Sequence, residues 1–263
     1  MKKQVLTIAG SDSGGGAGIQ ADLKAMSANG VYGMSVITSV TAQNTTGVSA
    51  VFDLPVSIIE AQIAAIFSDF EVAAVKTGML STAEIVKTVS RGLAQYNVKS
   101  LVVDPVMVAK GGQPLLQSDA VTVLKTELIP MALLVTPNIY EAELLADTQI
   151  HTLAEARQAA KVIHKLGCRY VLIKGGHLQE RPGTDLLYDG RFFRIYSGEF
   201  IDTANTHGTG CTYASAIAAN LAKGTLLPEA IEAAKTYLTE AIRHNLSIGH
   251  GHGPTNPFYF LPE

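Results

Sequence analysis

The chain has 263 residues, 47% of them hydrophobic and 16% charged, with a formal net charge of −3. That is enough apolar content for one large α/β domain, and the faint acidic balance excludes the electrostatic footprint of a nucleic-acid binder or of a protein held on an anionic membrane. Only Cys168 and Cys211 carry thiols, no signal-peptide core follows Met1 and no apolar run is long enough to span a bilayer, so no disulfide framework, secretion or membrane span is expected and a cytoplasmic location is.

Val5–Ala9 is a short apolar run that predicts a buried strand, running into a glycine-rich loop over 10–18. The loop is not a dinucleotide fingerprint, because Ile19 stands where glycine or alanine is needed. It is not a Walker A loop either, because no Gly-Lys-Ser/Thr ends it. Its glycines still let a ligand approach the backbone closely. Ile19, Leu23 and Met26 mark one face of a helix that stops near Gly30. Asp22 in its first turns reads equally as a dipole-favoured carboxylate or as a site residue.

Met34–Ala42 predicts a second strand with a polar end over 41–47, where Gln43 offers both a donor and an acceptor. A helix is predicted over Val56–Phe67 with Ile58, Ile59, Ile63 and Ile66 inward. A strand follows over Val72–Val75, ending in Lys76-Thr77-Gly78-Met79, and then a helix over Ala83–Tyr96. Leu101–Val103 is a continuously apolar strand, which implies a sheet covered on both faces, and Asp104-Pro105-Val106 stands at its end. Beyond a loop at Gly111-Gly112 come a helix over Ala120–Leu128 and a strand over Leu133–Val135 ending in Thr136-Pro137-Asn138. Glu141 lies one helical turn on, and Glu143 points elsewhere on that helix. The remaining pattern is a helix over Ala154–Leu166, a strand over Tyr170–Ile173 ending in Lys174-Gly175-Gly176-His177, and a hairpin of Thr184–Tyr188 and Arg191–Ile195 across Asp189-Gly190.

His207-Gly208-Thr209-Gly210-Cys211-Thr212 then precedes an Ala-rich helical run over Tyr213–Lys223. Glycines before a helix leave backbone N–H groups uncovered where the macrodipole is positive, which makes an anion seat. Cys211 at its mouth should have a lowered pKa, as thiols at helix starts do. The competing reading is a tight turn before a core helix with an ordinary buried thiol. A last helix over Pro228–Asn245 leads into a Gly/His/Pro tail, Gly249–Pro254, expected to be mobile rather than a metal site.

Alternating strands and helices give a mostly parallel sheet with helices on both faces, as one domain over 1–263. The polar or glycine-bearing strand ends at 10–18, 41–47, 76–79, 104–106 and 174–177 should open on one edge, beside the 207–212 loop.

The stretch from Ala9 to Asp22, Ala42-Gln43-Asn44-Thr45, Lys76-Thr77-Gly78-Met79, Asp104-Pro105-Val106-Met107, Thr136-Pro137-Asn138 with Glu141, Lys174-Gly175-Gly176-His177 and Thr206–Thr212 occur in this order. With them the chain resembles the hydroxymethylpyrimidine/phosphomethylpyrimidine kinases of thiamine biosynthesis, over nearly its whole length. The resemblance implies a ribokinase-like three-layer α/β/α sandwich, ATP and Mg²⁺ as cofactors, and a homodimer. It implies phosphorylation of hydroxymethylpyrimidine to its monophosphate and then to its diphosphate. Cys211 would accept the hydroxyl proton, with Gly208, Thr209 and Gly210 offering N–H groups to the transferring phosphoryl. Lys174, Asn138 and Thr206 would join Thr209 in binding ATP, and Asp104 and Glu141 would hold Mg²⁺. Gly10, Asp22, Gln43, Met79 and Val106 would bind the pyrimidine. Three other readings stay open: a pyridoxal kinase, a cysteine hydrolase built on Cys211 and His207, and a nucleotide-binding module without catalysis.

Overall fold

The apolar, β-branched runs form strands, and their residues alternate between two covered faces. The computed structural model describes residues 1–108, 115–176, 178 and 180–262. Its strands are β1 (Gln4–Asp12), β2 (Tyr32–Asn44), β3 (Gly47–Asp53), β4 (Val72–Thr77), β5 (Leu101–Val103), β6 (Leu134–Val135), β7 (Tyr170–Ile173), β8 (Thr184–Tyr188) and β9 (Phe193–Ser197). They make one sheet in the order β3-β2-β1-β4-β5-β6-β7-β8-β9. From β2 to β7 every pairing is parallel, and the antiparallel strands lie at the two edges. This is the mostly parallel sheet, with helices on both faces, that the strand and helix alternation predicts.

The helices are α1 (Gly18–Ala28), α2 (Val56–Asp69), α3 (Ala83–Gln95), α4 (Ser118–Val123), α5 (Ile139–Ala146), α6 (Leu153–His164), α7 (Thr209–Ala222) and α8 (Leu227–Arg243). Val5, Val102 and Leu172 point to the face covered by α1, α7 and α8. Their neighbours Leu6, Ile8, Leu101, Val103, Val171 and Ile173 point to the face covered by α2 to α6. Period-two strands buried on both sides therefore hold the three layers together, at roughly 1.5–3 kcal/mol for each large side chain removed from water.

Several boundaries differ from expectation for local reasons. Residues 41–47 are not a free strand end: β2 runs on to Asn44, and a two-residue Thr45-Thr46 turn returns the chain antiparallel as β3. Most of β3 is exposed, so it carries no burial alternation to read in the sequence. On α2, Ile59 and Ile63 are buried, but Ile58 is 46% exposed and faces outward. Helix α4 ends at Val123 and continues as a wider π-helical turn over Leu124–Leu128. Helix α7 starts at Thr209, four residues before the Ala-rich run. The histidine-glycine tail is bonded into the fold: the His250 and Gly251 N–H groups reach the Thr45 hydroxyl, and Pro254 bridges to His207. Gly111-Gly112 and His177 lie outside the described residues.

Candidate active site

Parallel strands bring their C-terminal ends to one edge of the sheet, and a cavity of about 680 Å³ runs along that edge. At its centre stands the start of α7. Gly208 caps the helix at φ +78°, a left-handed conformation that glycine adopts without strain, and the Thr212 N–H returns to its carbonyl. The Gly210 and Cys211 amides meet no protein carbonyl among the described residues, as expected for the first turn of a helix. Thr206, Gly208, Thr209, Gly210 and Cys211 all face the cavity. Gly210 is where charge comes closest: a Cβ there would lie 3.3 Å from Lys174 Nζ and 3.6 Å from Asp104 Oδ2.

Lys174 follows β7 and Asp104 follows β5, so the ends of the two strands that flank β6 set them against each other. Lys174 Nζ donates to Asp104 Oδ1 at 2.6 Å, and the Thr136 hydroxyl donates to the same oxygen at 3.0 Å. Burial alone would raise the Asp104 carboxyl, but the Lys174 and Lys76 ammonium groups outweigh it and hold it below the ordinary range. Burial would likewise discharge Lys174, and Asp104 with Glu141 keeps it charged. Glu141 is positioned by a capping box, its carboxylate accepting the Asn138 N–H at 2.8 Å while Asn138 Oδ1 accepts the Glu141 N–H at 2.9 Å. Burial, reinforced by the nearby Asp104, pushes Glu141 up to about 7 despite Lys174. Asp104 and Glu141 face Lys174, while Lys76 is already paired with Asp22, a deficit of positive charge that fits a hard cation keeping part of its water shell. Among the described residues no group of three or more His, Cys, Asp and Glu side chains forms a closed metal cage.

The glycine-rich loop is fastened by Asp12. Its carboxylate accepts the N–H groups of Gly14, Gly16 and Ala17 at 2.8, 3.0 and 2.8 Å, and meets His207 Nε2 at 2.9 Å. Burial opposes the charge on Asp12, but His207 and these amides more than offset it and lower its pKa. His207 Nε2 is engaged by Asp12, and among the described residues no hydrogen bond joins His207 to the Cys211 thiol, so the hydrolase pair is not assembled here. Gln43 Oε1 accepts the Thr41 hydroxyl at 3.0 Å, so its amide stands fixed at the cavity wall. Gly10, Met79 and Val106 line the same side, and a Cβ on Gly10 would come within 2.6 Å of Met79 Cε.

Two expectations need correction. Asp22 is not at the cavity: it is fully buried behind the wall, its carboxylate holding Lys76 Nζ at 2.9 Å, the Thr7 hydroxyl at 2.6 Å and the Ser215 hydroxyl at 2.7 Å. A carboxylate so fully engaged has no free oxygen for a ring substituent. The Cys211 thiol, in turn, is not poised low. Burial pushes it up to about 11, the Asp22 and Asp104 carboxylates add to this, and Lys76 with the Gly18 N–H offsets only part. Desolvation therefore outweighs the helix start. Alkylation of Cys211 by iodoacetamide in the free protein should accordingly rise about tenfold per pH unit from 7 to 10, since only the thiolate reacts. A plateau below pH 9 would contradict this. Cys168, 2% exposed and pushed up to about 12, should react more slowly still.

Sequence reasoning missed Lys76 as a site residue. A lysine at the end of an apolar strand looks like a solvated terminus, yet β4 runs on through Thr77 and buries it completely. The double role of Asp12 and His207 was also missed, because the two lie far apart in the chain.

Comparison with known proteins gives the family and the fold. The phosphomethylpyrimidine kinase family model matches residues 12–256. Hydroxymethylpyrimidine/phosphomethylpyrimidine kinase of Haemophilus influenzae is 52% identical over 259 residues, covering 97% of this chain and 96% of that protein. A thiamine biosynthesis bifunctional protein of Geobacter sulfurreducens is 53% identical, and the match covers 96% of this chain but only 51% of that longer protein. Among solved structures, an ADP complex of Bacillus subtilis pyridoxal kinase superposes with a TM-score of 0.92 at 40% identity, covering 99% of both chains. No helix among the described residues is long and apolar enough to cross a membrane.

Proposed function

The chain belongs to the phosphomethylpyrimidine kinase family, and we propose that its cavity transfers the γ-phosphoryl group of ATP first to the hydroxymethyl group of hydroxymethylpyrimidine and then to the resulting monophosphate. The observation that carries the reading is the meeting of an uncovered helix start, Lys174 and Asp104 around Gly210, with Cys211 on the same helical turn. Phosphoryl transfer asks a protein for little covalent chemistry. It asks for placement and for charge where the three equatorial oxygens carry it.

In this reading the substrate oxygen attacks the γ-phosphorus as the bond to the bridging oxygen breaks, and ADP leaves. Gly208, Thr209 and Gly210 amides receive the phosphoryl oxygens, Lys174 neutralises them as a point charge, and Thr206 and Asn138 line the nucleotide's side. Cys211 takes the hydroxyl proton. With its thiol near 11 the basic form is scarce at neutral pH, which a loose transition state tolerates because the hydroxyl loses its proton late. Asp104 and Glu141 would hold Mg²⁺, whose chemistry is neutralisation of phosphate charge. Gln43 reads the pyrimidine, and Gly10, Met79 and Val106 wall its ring. The chain works as a single domain, as a homodimer and in the cytoplasm in this reading, supported by the family resemblance.

Gln43 gives the test of substrate identity. An amide hydrogen-bonded to a ring nitrogen or exocyclic amine contributes about 1–3 kcal/mol once the partner would otherwise be left unpaired. Gln43→Met should weaken pyrimidine binding by roughly one to two decades with ATP binding unchanged, measured by calorimetry. Unaltered pyrimidine affinity would place Gln43 outside the substrate contacts.

A further inference from the structure

The Gly/His segment over 249–255 is bonded at two places, and the reaction above uses neither bond. At one end it grips the tip of the β2–β3 hairpin. The Thr45 hydroxyl accepts the His250 and Gly251 N–H groups at 3.2 Å each, and the Thr45 carbonyl accepts the His252 N–H at 2.8 Å. At the other end it holds His207, whose N–H donates to the Gly253 carbonyl at 3.1 Å and whose carbonyl accepts the Thr255 N–H at 3.4 Å. The alternating glycines permit so close a course, since a Cβ on Gly249 or Gly251 would overlap Thr45. The hairpin needs such a hold: β3 is the edge strand and mostly exposed, so little burial of its own fixes it. Gln43 stands on that hairpin, two residues before Thr45.

His207 meets the same hairpin with its ring. Its Nε2 lies 2.9 Å from Asp12 Oδ2 and 3.4 Å from Gln43 Nε2, and the ring packs on Gly16, where a Cβ would overlap it. The Asp12 carboxylate already takes three backbone N–H groups and can only accept, so the proton between the two sits on His207 Nε2. That nitrogen then has no lone pair for Gln43, and the N–H groups of the amide remain for a ligand. We propose that His207 is a positioning residue for pyrimidine recognition, acting through Gln43. Asp12 and the 249–255 strap hold its ring behind the amide, and the strap holds the hairpin at Thr45. Gln43 thereby keeps one place on the cavity wall and offers its N–H groups to the substrate rather than to the protein.

This inference rests on the kinase reading, so turnover of ATP with hydroxymethylpyrimidine by the wild-type chain is measured first. Its absence would sink that reading and this one with it. Thr45→Val then cuts the strap from the hairpin and leaves Gln43, His207 and the helix start unchanged. The calorimetric Kd for the pyrimidine should rise about three- to tenfold, the scale of one or two hydrogen bonds. Its KM should rise with it, while kcat and the KM for ATP stay within about twofold. His207→Ala should weaken pyrimidine binding by about ten- to a hundredfold, and His207→Gln, whose amide N–H can reach Asp12, should recover part of the loss. The decisive readout is coupling. In a Gln43→Met background neither Thr45→Val nor His207→Ala should weaken the pyrimidine by more than about a further twofold, because residues acting through one group are not additive. Losses that add in full in that background would overturn the proposal, since both residues would then act elsewhere. Unchanged pyrimidine affinity in the folded single variants, or a fall in kcat with the pyrimidine KM unmoved, would overturn it as well. If His207→Ala fails to fold, Thr45→Val at its partly exposed turn, alone and with Gln43→Met, decides the question.

Discussion

Replacing Cys211 by alanine is expected to lower kcat by roughly 10²–10⁴-fold while both substrates still bind, because loss of a general base costs about that much. The amides proposed to seat the phosphoryl group are backbone groups of Gly208, Thr209 and Gly210 and survive the change, as does the Lys174–Asp104 pair at 2.6 Å. Calorimetric affinities for the nucleotide and the pyrimidine should therefore change by less than about threefold, an error-sized effect beside the loss of rate. Cys211→Asp should restore part of the activity, since a carboxylate accepts the same proton. The wild-type rate should rise with pH between 7 and 9, because the active form is the deprotonated one and the thiol is pushed up to about 11. Normal turnover in the alanine variant would reduce the motif to an anion seat with a bystander thiol.

The second large effect is expected at Gly208. Its φ of +78° costs an ordinary L-residue about 1–2 kcal/mol, and a methyl group added there would overlap the carbonyl oxygen of Gly16. The glycine loop and the start of α7 touch at this point, and neither can yield without the other. Gly208→Ala should therefore displace the loop by a fraction of an ångström or more and lower kcat by about a hundredfold, the scale on which misplaced catalytic groups fail. The melting temperature should fall by only a few degrees, because the buried layers are untouched. Wild-type kinetics in this variant would mean that the contact between the two loops has no part in the reaction.

The sheet was legible because continuous apolar runs such as Leu101–Val103 admit only a strand covered on both faces, and the alternation of strands with helices left little choice of topology. Hairpin β2–β3 was not legible, since Gly47–Asp53 is mostly exposed and carries no burial pattern. Of the site, the strand-end residues Gln43, Asp104, Lys174 and the 208–211 turn all reach the cavity, because parallel strands put their ends on one edge. Asp22 was expected to bind the substrate and Lys76, in the strand end over 76–79, was given no role, because which of the two charged residues lines the cavity depends on the depth of α1 against β4, which no local pattern records. The pKa of Cys211 failed similarly. A helix start can be read in a sequence, but the enclosure that desolvates the thiol is assembled from distant strands.

The measurement that bears most directly on the account is a coupled assay of ADP release, with hydroxymethylpyrimidine, its monophosphate and pyridoxal offered in turn. The account predicts turnover with the pyrimidine and with its monophosphate, at kcat/KM values well above that for pyridoxal, and abolished pyrimidine preference in Gln43→Met. ADP release with pyridoxal alone would contradict the substrate assignment and make the chain a pyridoxal kinase, and no ADP release with any of the three would contradict phosphoryl transfer itself.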